Sequence, residues 1–186
     1  MSLQPLASPC LILDTMKKMI LAILLCLSTV LMGQSPAAKM PSQMQPLEWL
    51  VGGVWTTDMS KMGNGMKSIE TRYTWSDNGA FLRFNTHFVT DKGTIKRYDG
   101  NFYFDADKKT IAMWYMDSEN KIYQGPIKAD GDLVTFDFRG EDFEGKLSDL
   151  RVVVTRKSNS LYNWALSERD NDKWKPLATL DYSRGQ

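Results

Sequence analysis

From residue 53 onward, hydrophobic and polar residues alternate in short runs. Each run ends in a cluster of turn-forming residues: Ser76-Asp77-Asn78-Gly79, Asp91-Lys92-Gly93, Ala106-Asp107-Lys108-Lys109, Ser118-Glu119-Asn120, Ala129-Asp130-Gly131-Asp132, Lys157-Ser158-Asn159 and Asp170-Asn171-Asp172. A period of two places successive side chains on opposite faces of a sheet, and regular punctuation of this kind marks an all-β sandwich or barrel. The pattern predicts ten strands, over 53–59, 66–76, 80–90, 94–105, 110–117, 121–128, 132–139, 147–156, 161–169 and 173–183. Residues 140–146 read as a loop or as an extension of a neighbouring strand. No window carries a long stripe of period 3.6, so no substantial helix is expected. Residues 46–52 predict one short helical turn, ended by glycine. Tightly connected strands are antiparallel neighbours, and closure of the sheet removes the two edges it would otherwise expose. The expected fold is a single antiparallel up-and-down barrel of about ten strands.

The turns also predict a register. A two-residue Asn78-Gly79 turn, with φ > 0 at both positions, sets Trp75 opposite Leu82, Tyr73 opposite Phe84 and Ile69 opposite Phe88. The same register sets Arg72 opposite Asn85 and Glu70 opposite His87. One face is apolar and the other polar, and a slip of one residue would mix them. A bulged turn at Gly93 brings Tyr98 opposite Thr86 and Phe102 opposite Leu82. The next hairpin adds Phe104 opposite Ile111 and Phe102 opposite Met113. Four strands thus share one apolar face, in which Tyr73, Trp75, Phe84, Phe88, Tyr98, Phe102, Phe104, Met113 and Tyr115 are the candidates to line a lumen, beside Ile69, Leu82 and Ile111.

The N-terminus changes the picture of where the barrel works. Lys17-Lys18 is followed by an apolar, uncharged run from Met19 to Met32 and then by Ser35-Pro36-Ala37-Ala38. This is the pattern of a secretory signal, and its apolar core is short for a membrane span. Residues 1–33 are read as the signal peptide, with Met16 as an alternative start, residues 34–46 as a flexible linker, and residues 47–186 as the barrel. Both cysteines, Cys10 and Cys26, fall in the removed part. The mature domain then has no disulfide to lean on and depends on its core. Leu25 before Cys26 is not the small residue that a lipid-attachment site requires, so the expected product is periplasmic or secreted and not lipidated. The balance of 23 basic against 22 acidic residues leaves no electrostatic reason to expect nucleic acid as a partner.

Gly53-Val54-Trp55, directly after Leu47-Glu48-Trp49-Leu50-Val51-Gly52, resembles the Gly-x-Trp opening of the calycins: the lipocalins, fatty-acid-binding proteins and nitrobindin-type barrels. The resemblance implies that Arg184, near the end of the last strand, packs over Trp55, with Gly53 and Trp55 in structural roles. Ten strands fit the fatty-acid-binding and nitrobindin types better than the eight-stranded lipocalins. The haem role of the nitrobindin type does not carry over, because no histidine follows position 87.

His87 is the sole histidine. The register places it on the polar face between Glu70 and Arg97. There it is either part of a solvated ladder of opposite charges or, if that face points inward, part of a wet lumen with Glu70, Arg72, Arg83 and Asn85. Such a lumen could offer an arginine fork to an anionic headgroup. No metal site is expected, since one histidine and no mature cysteine leave only hard oxygen ligands, and Glu141-Asp142-Phe143-Glu144 lacks the spacing of a calcium loop. No nucleophile elbow, phosphate loop or dinucleotide glycine pattern occurs. Met59, Met62 and Met66 around Gly63-Asn64-Gly65 form either an adaptable lid or an ordinary loop. No cofactor is expected. The function read from these residues is an exported barrel that binds a small apolar or amphipathic molecule. The alternatives are an isomerase or hydrolase on the same barrel using Glu70 and His87, and a module with a filled core and no ligand.

Overall fold

In the computed structural model, described for residues 40–63, 65–141 and 145–185, each alternating run is a strand. The strands are β1 (Val54–Asp58), β2 (Met66–Trp75), β3 (Phe81–Thr90), β4 (Gly93–Asp105), β5 (Thr110–Asp117), β6 (Ile122–Asp130), β7 (Leu133–Glu141), β8 (Leu147–Ser158), β9 (Leu161–Asp170) and β10 (Lys173–Arg184). They form one closed antiparallel barrel in chain order, with β10 returning to pair with β1. Two residue pairs make that seam, Trp55 with Arg184 and Thr56 with Ser183. All twelve residues expected on the apolar face belong to the core or pack directly on it. The signal-peptide positions lie outside the described residues, as do Asp142, Phe143 and Glu144 of the acidic cluster.

The register across β2 and β3 is as expected, including Trp75 with Leu82 and Glu70 with His87. The turn that creates it is different. Ser76 N–H donates to Phe81 O at 2.9 Å and Gly79 N–H to Ser76 O at 2.8 Å, so four residues, 77–80, make the connection. Of the two turn positions only Gly79 has positive φ, at 66°. Asn78 instead accepts from the Ser76 hydroxyl and from Ala80 N–H. Loops of two and of four residues centred on the same point place the same residues opposite each other, which is why the register survives. A second correction concerns β3 and β4. The register shift sits between Thr86 and His87, where Arg97 is the extra residue, and not at Gly93. His87 therefore faces Lys96 across the strand, in place of Arg97.

One end of the barrel is closed by a 3₁₀ helix, Ser42–Leu50. It starts within the stretch read as linker. Its geometry brings every third residue to one side, and Met44, Leu47 and Leu50 are buried there, the first two at 0 % exposure. Pro46 has no N–H to give and sits inside this helix without breaking it. The plug is tied to the wall by Trp55 Nε1, which donates to Leu50 O at 2.7 Å. Arg184 lies over the Trp55 ring at 4.4 Å, and donates from Nη1 to Val51 O and Gly52 O and from Nε to Asn159 O. Its guanidinium is thus spent on fixing the floor. The Gly-x-Trp and arginine arrangement expected of the barrel's opening strand is present in this geometry.

Three inward-facing glycines shape the wall. A Cβ on Gly100 would fall 2.4 Å from Trp114 O, 2.5 Å from Tyr115 Cβ and 2.7 Å from Phe84 Cε1. One on Gly125 would crowd the Asp137 carbonyl and Phe136, and one on Gly140 would strike Tyr123 and Phe138. Each glycine opens a notch into which neighbouring rings settle flat.

Candidate functional site

The rings seated in those notches form one network. Phe84 touches Tyr73, Phe102 and Tyr115, with centroids 5.4–6.2 Å apart. Tyr115 continues it to Tyr98 and stacks on Tyr123 at 4.8 Å, and Phe136 stacks on Phe138 at 4.7 Å. Phe88 joins through Tyr98. Of the residues read as lumen candidates, Phe84, Phe102 and Met113 are buried, while Tyr73, Trp75, Phe88, Tyr98, Phe104 and Tyr115 keep part of their surface accessible although they point inward. Tyr73 is the informative case. Burial pushes its hydroxyl up to about 12, so the group sits far from bulk water, yet the side chain is only half-buried. Tyr73 thus points inward without being fully covered by its neighbours.

The opposite wall of the barrel interior comes from residues that the sequence pattern did not single out. Val152 and Val154 on β8, Trp164 on β9 and Leu180 on β10 all point inward and all remain half-buried. Register links them: Val154 faces Trp164, and Trp164 faces Leu180. Tyr123, Phe136 and Phe138, on β6 and β7, were missed as well. Val152, Val153 and Val154 are apolar on both faces, so alternation could not show which of them point inward. The Trp164 and Leu166 alternation, carried across the Asn159 turn, was the available signal.

The polar candidates stand on the other side of the sheet. Glu70, Arg72, Arg83, Asn85 and His87 alternate with Ile69, Tyr73, Leu82, Phe84 and Phe88, and Arg72 and Arg83 are exposed. Glu70 and His87 are cross-strand neighbours, both half-buried on the outer face. The wet-lumen arrangement is therefore not the one adopted, and neither arginine offers a fork to anything inside.

Six of the seven tyrosines turn inward, namely Tyr73, Tyr98, Tyr115, Tyr123, Tyr162 and Tyr182. Their hydroxyls influence one another. Tyr162 shares a hydrogen bond with Tyr73, and burial together with Tyr73 and Tyr182 holds its hydroxyl well above the ordinary phenol range. Tyr182 is raised by burial, then by Tyr73 and Tyr98; Tyr115 is raised by burial, then by Tyr98, Tyr123 and Asp117. All three stay protonated at any physiological pH. At the rim opposite the plug, Asp117 takes Glu119 N–H and Lys121 N–H on one oxygen and the Tyr123 hydroxyl at 3.4 Å on the other. Ser148 donates to Glu168 there at 2.5 Å. Of the methionines, Met59 belongs to the core and Met62 is exposed, with Ser60–Met62 forming a single 3₁₀ turn between β1 and β2. Among the described residues no group of three or more His, Cys, Asp or Glu could hold a metal ion, and no helix is long and apolar enough to cross a membrane.

Compared with known proteins, the chain matches no family model and no curated protein.

Proposed function

We propose that this protein is an exported barrel that holds a small apolar or amphipathic molecule in its lumen, of calycin-like kind. The observation that carries the reading is the accessible surface on deep, inward residues: Tyr73 on one wall and Val152, Val154, Trp164 and Leu180 on the other. A protein interior is normally packed to the density of an organic crystal. Inward side chains that remain accessible beneath a sealed floor belong to a cavity. Apolar surface removed from water contributes about 25 cal/mol per Å², and a few polar groups set orientation. Export and release without lipid rest on the Lys17-Lys18 and Met19 to Met32 pattern.

Native mass spectrometry of the protein purified from its own host tests the reading. A small molecule should co-purify, released on unfolding. Protein that is empty from its host and takes up no apolar probe would place it with the filled-core modules. N-terminal sequencing of the same material should find a start near Gln34, and an acylated Cys26 would overturn the localisation.

A further inference from the structure

Charge is distributed unevenly along the lumen. At the floor, Arg184 is committed to three carbonyls and to Trp55, and Arg156 pairs with Asp132 and with Asn159 and lies over Trp49 at 5.7 Å. At the rim stand Asp117 and Glu168, with Lys146 4.0 Å from Glu168 and Lys175 opposite it and exposed. Between floor and rim, no inward position among the described residues carries a charge. An anion between floor and rim would meet no cation there, so its desolvation would go uncompensated.

Hydroxyls occupy that middle zone instead. Tyr98 and Tyr115 reach in from β4 and β5 with rings 5.7 Å apart. Tyr182 reaches in from β10 on the opposite wall, close enough to Tyr98 for Tyr98 to add to the rise that burial and Tyr73 give the Tyr182 hydroxyl. All three belong to inward-facing side chains. None of them is among the polar atoms sealed away without a partner, which are Trp49 Nε1 and Asn101 Oδ1. On the reading above, these hydroxyls are the polar groups that the lumen offers a ligand. A phenol there can donate one hydrogen bond and accept another.

Resting on the small-molecule reading above, we infer that the lumen selects an uncharged amphiphile, whose hydroxyl or carbonyl meets the hydroxyls of Tyr98, Tyr115 and Tyr182, and turns away the carboxylate of the same skeleton. The protonated state of Tyr115 and Tyr182 keeps both available as donors, and the aromatic walls take the apolar body.

Calorimetric titration of the full mature protein with naphthalene, 2-naphthol and 2-naphthoate at about pH 7 tests this, since the first two are neutral there and the third is an anion. The expected order is naphthol tightest and naphthoate at least about tenfold weaker than naphthol. In a Tyr98→Phe/Tyr182→Phe variant, which keeps both rings, naphthol should weaken about three- to tenfold per hydroxyl lost, with naphthalene unchanged. Naphthoate binding as tightly as naphthol would overturn the selection against charge. Equal affinity for naphthol and naphthalene, unchanged in the variant, would overturn the role of the hydroxyls while leaving a binding lumen in place. Failure of all three, naphthalene included, would remove the open lumen and both readings with it.

Discussion

On β2 to β5 many inward positions are rings pressed on other rings; on β8 to β10, above the stacked and buried Tyr162 and Tyr182, the inward Val152, Val154, Trp164 and Leu180 stay half-buried. Leu82 illustrates the first wall. It is at 0 % exposure, between Trp75 and Phe102 in register. Leu180 illustrates the second, inward yet half-buried. Both walls are apolar and both alternate. What separates them is side-chain volume: Phe84 and Phe102 are large rings, in contact and buried, whereas Val152 and Val154 are small and half-buried. On the proposed function, the ligand space lies where the small side chains are, and the aromatic wall supplies its rigid back.

The same substitution on each wall should therefore have unequal effects. Leu82→Ala removes a side chain packed on all sides, and is expected to cost about 2–5 kcal/mol. Leu180→Ala removes contacts on one side only and enlarges a space that already exists, so its cost should stay below about 2 kcal/mol. Urea unfolding of the two variants decides it. Equal losses would mean that Leu180 is packed as tightly as Leu82 and that the second wall borders no space.

Gly100→Ala tests whether the aromatic wall is as full as its rings suggest. The new methyl group would meet the Trp114 carbonyl, which cannot swing aside as a flexible side chain could, as well as Phe84 and Tyr115. Overpacking of this kind costs about 1–3 kcal/mol. Thermal melts should show the loss, and unchanged stability would mean that the ring network has slack.

The aromatic wall was legible in the sequence because its residues alternate cleanly and its turns are short. Even a misjudged turn at Asn78-Gly79 left the register intact, since the centre of the loop, and not its length, sets which residues meet. The other wall was not legible. Arg151-Val152-Val153-Val154 reads as apolar without direction, and direction is supplied only by Leu150 and Tyr162, which the closed sheet brings to the inside. Only the second half of the plug was legible: residues 46–52 read as a short helical turn, as the 3₁₀ helix bears out, while residues 42–45 read as linker. Met44, Leu47 and Leu50 repeat every three residues, a spacing that signals neither an α-helix nor a strand, and Pro46 among them suggested a linker. Which way the polar face points was decided only by closure, because alternation separates two faces without naming the inner one.

The thin wall is braced from outside, and this gives a smaller, pH-dependent contrast. Arg151 on β8 holds Asp137 on β7 through two hydrogen bonds, 2.6 and 2.7 Å, and lies over the Trp174 ring at 4.2 Å. The Arg151 hydrogen bond lowers the Asp137 pKa, with burial opposing it. A lowered carboxylate pKa stabilises the fold above the unfolded value of about 3.9 and loses that contribution as pH falls through the folded value. Asp137 is partly exposed, so solvent screening holds the effect to about 0.5 kcal/mol or less. Asp137→Asn should reduce stability slightly at about pH 6 and leave no difference from wild type at about pH 3. A difference that persists at the lower pH would assign the bracing to shape and to Trp174, not to charge.

The smallest effect is expected at His87. It lies on the outer face of the aromatic wall, between Glu70 and Lys96, while Phe84 and Phe88 on the same strand point inward. Alternation along a strand puts its imidazole on the far side of the sheet from any lumen ligand. An apolar, ring-lined pocket would suit a porphyrin, and an imidazole is the usual axial ligand, so haem is the natural challenge to this placement. Tyrosinate is the other route to ferric iron, but burial and the neighbours Tyr98, Tyr123 and Asp117 disfavour ionisation of Tyr115. The middle of the lumen also offers no cation to the propionates. Haemin titrated into wild type and into His87→Ala should give the same weak, non-stoichiometric change in the Soret band, and the variant should bind 2-naphthol as wild type does. A sharp stoichiometric Soret shift that the variant loses would mean that the face carrying His87 is the inner one, and with it the assignment of the two walls would be reversed.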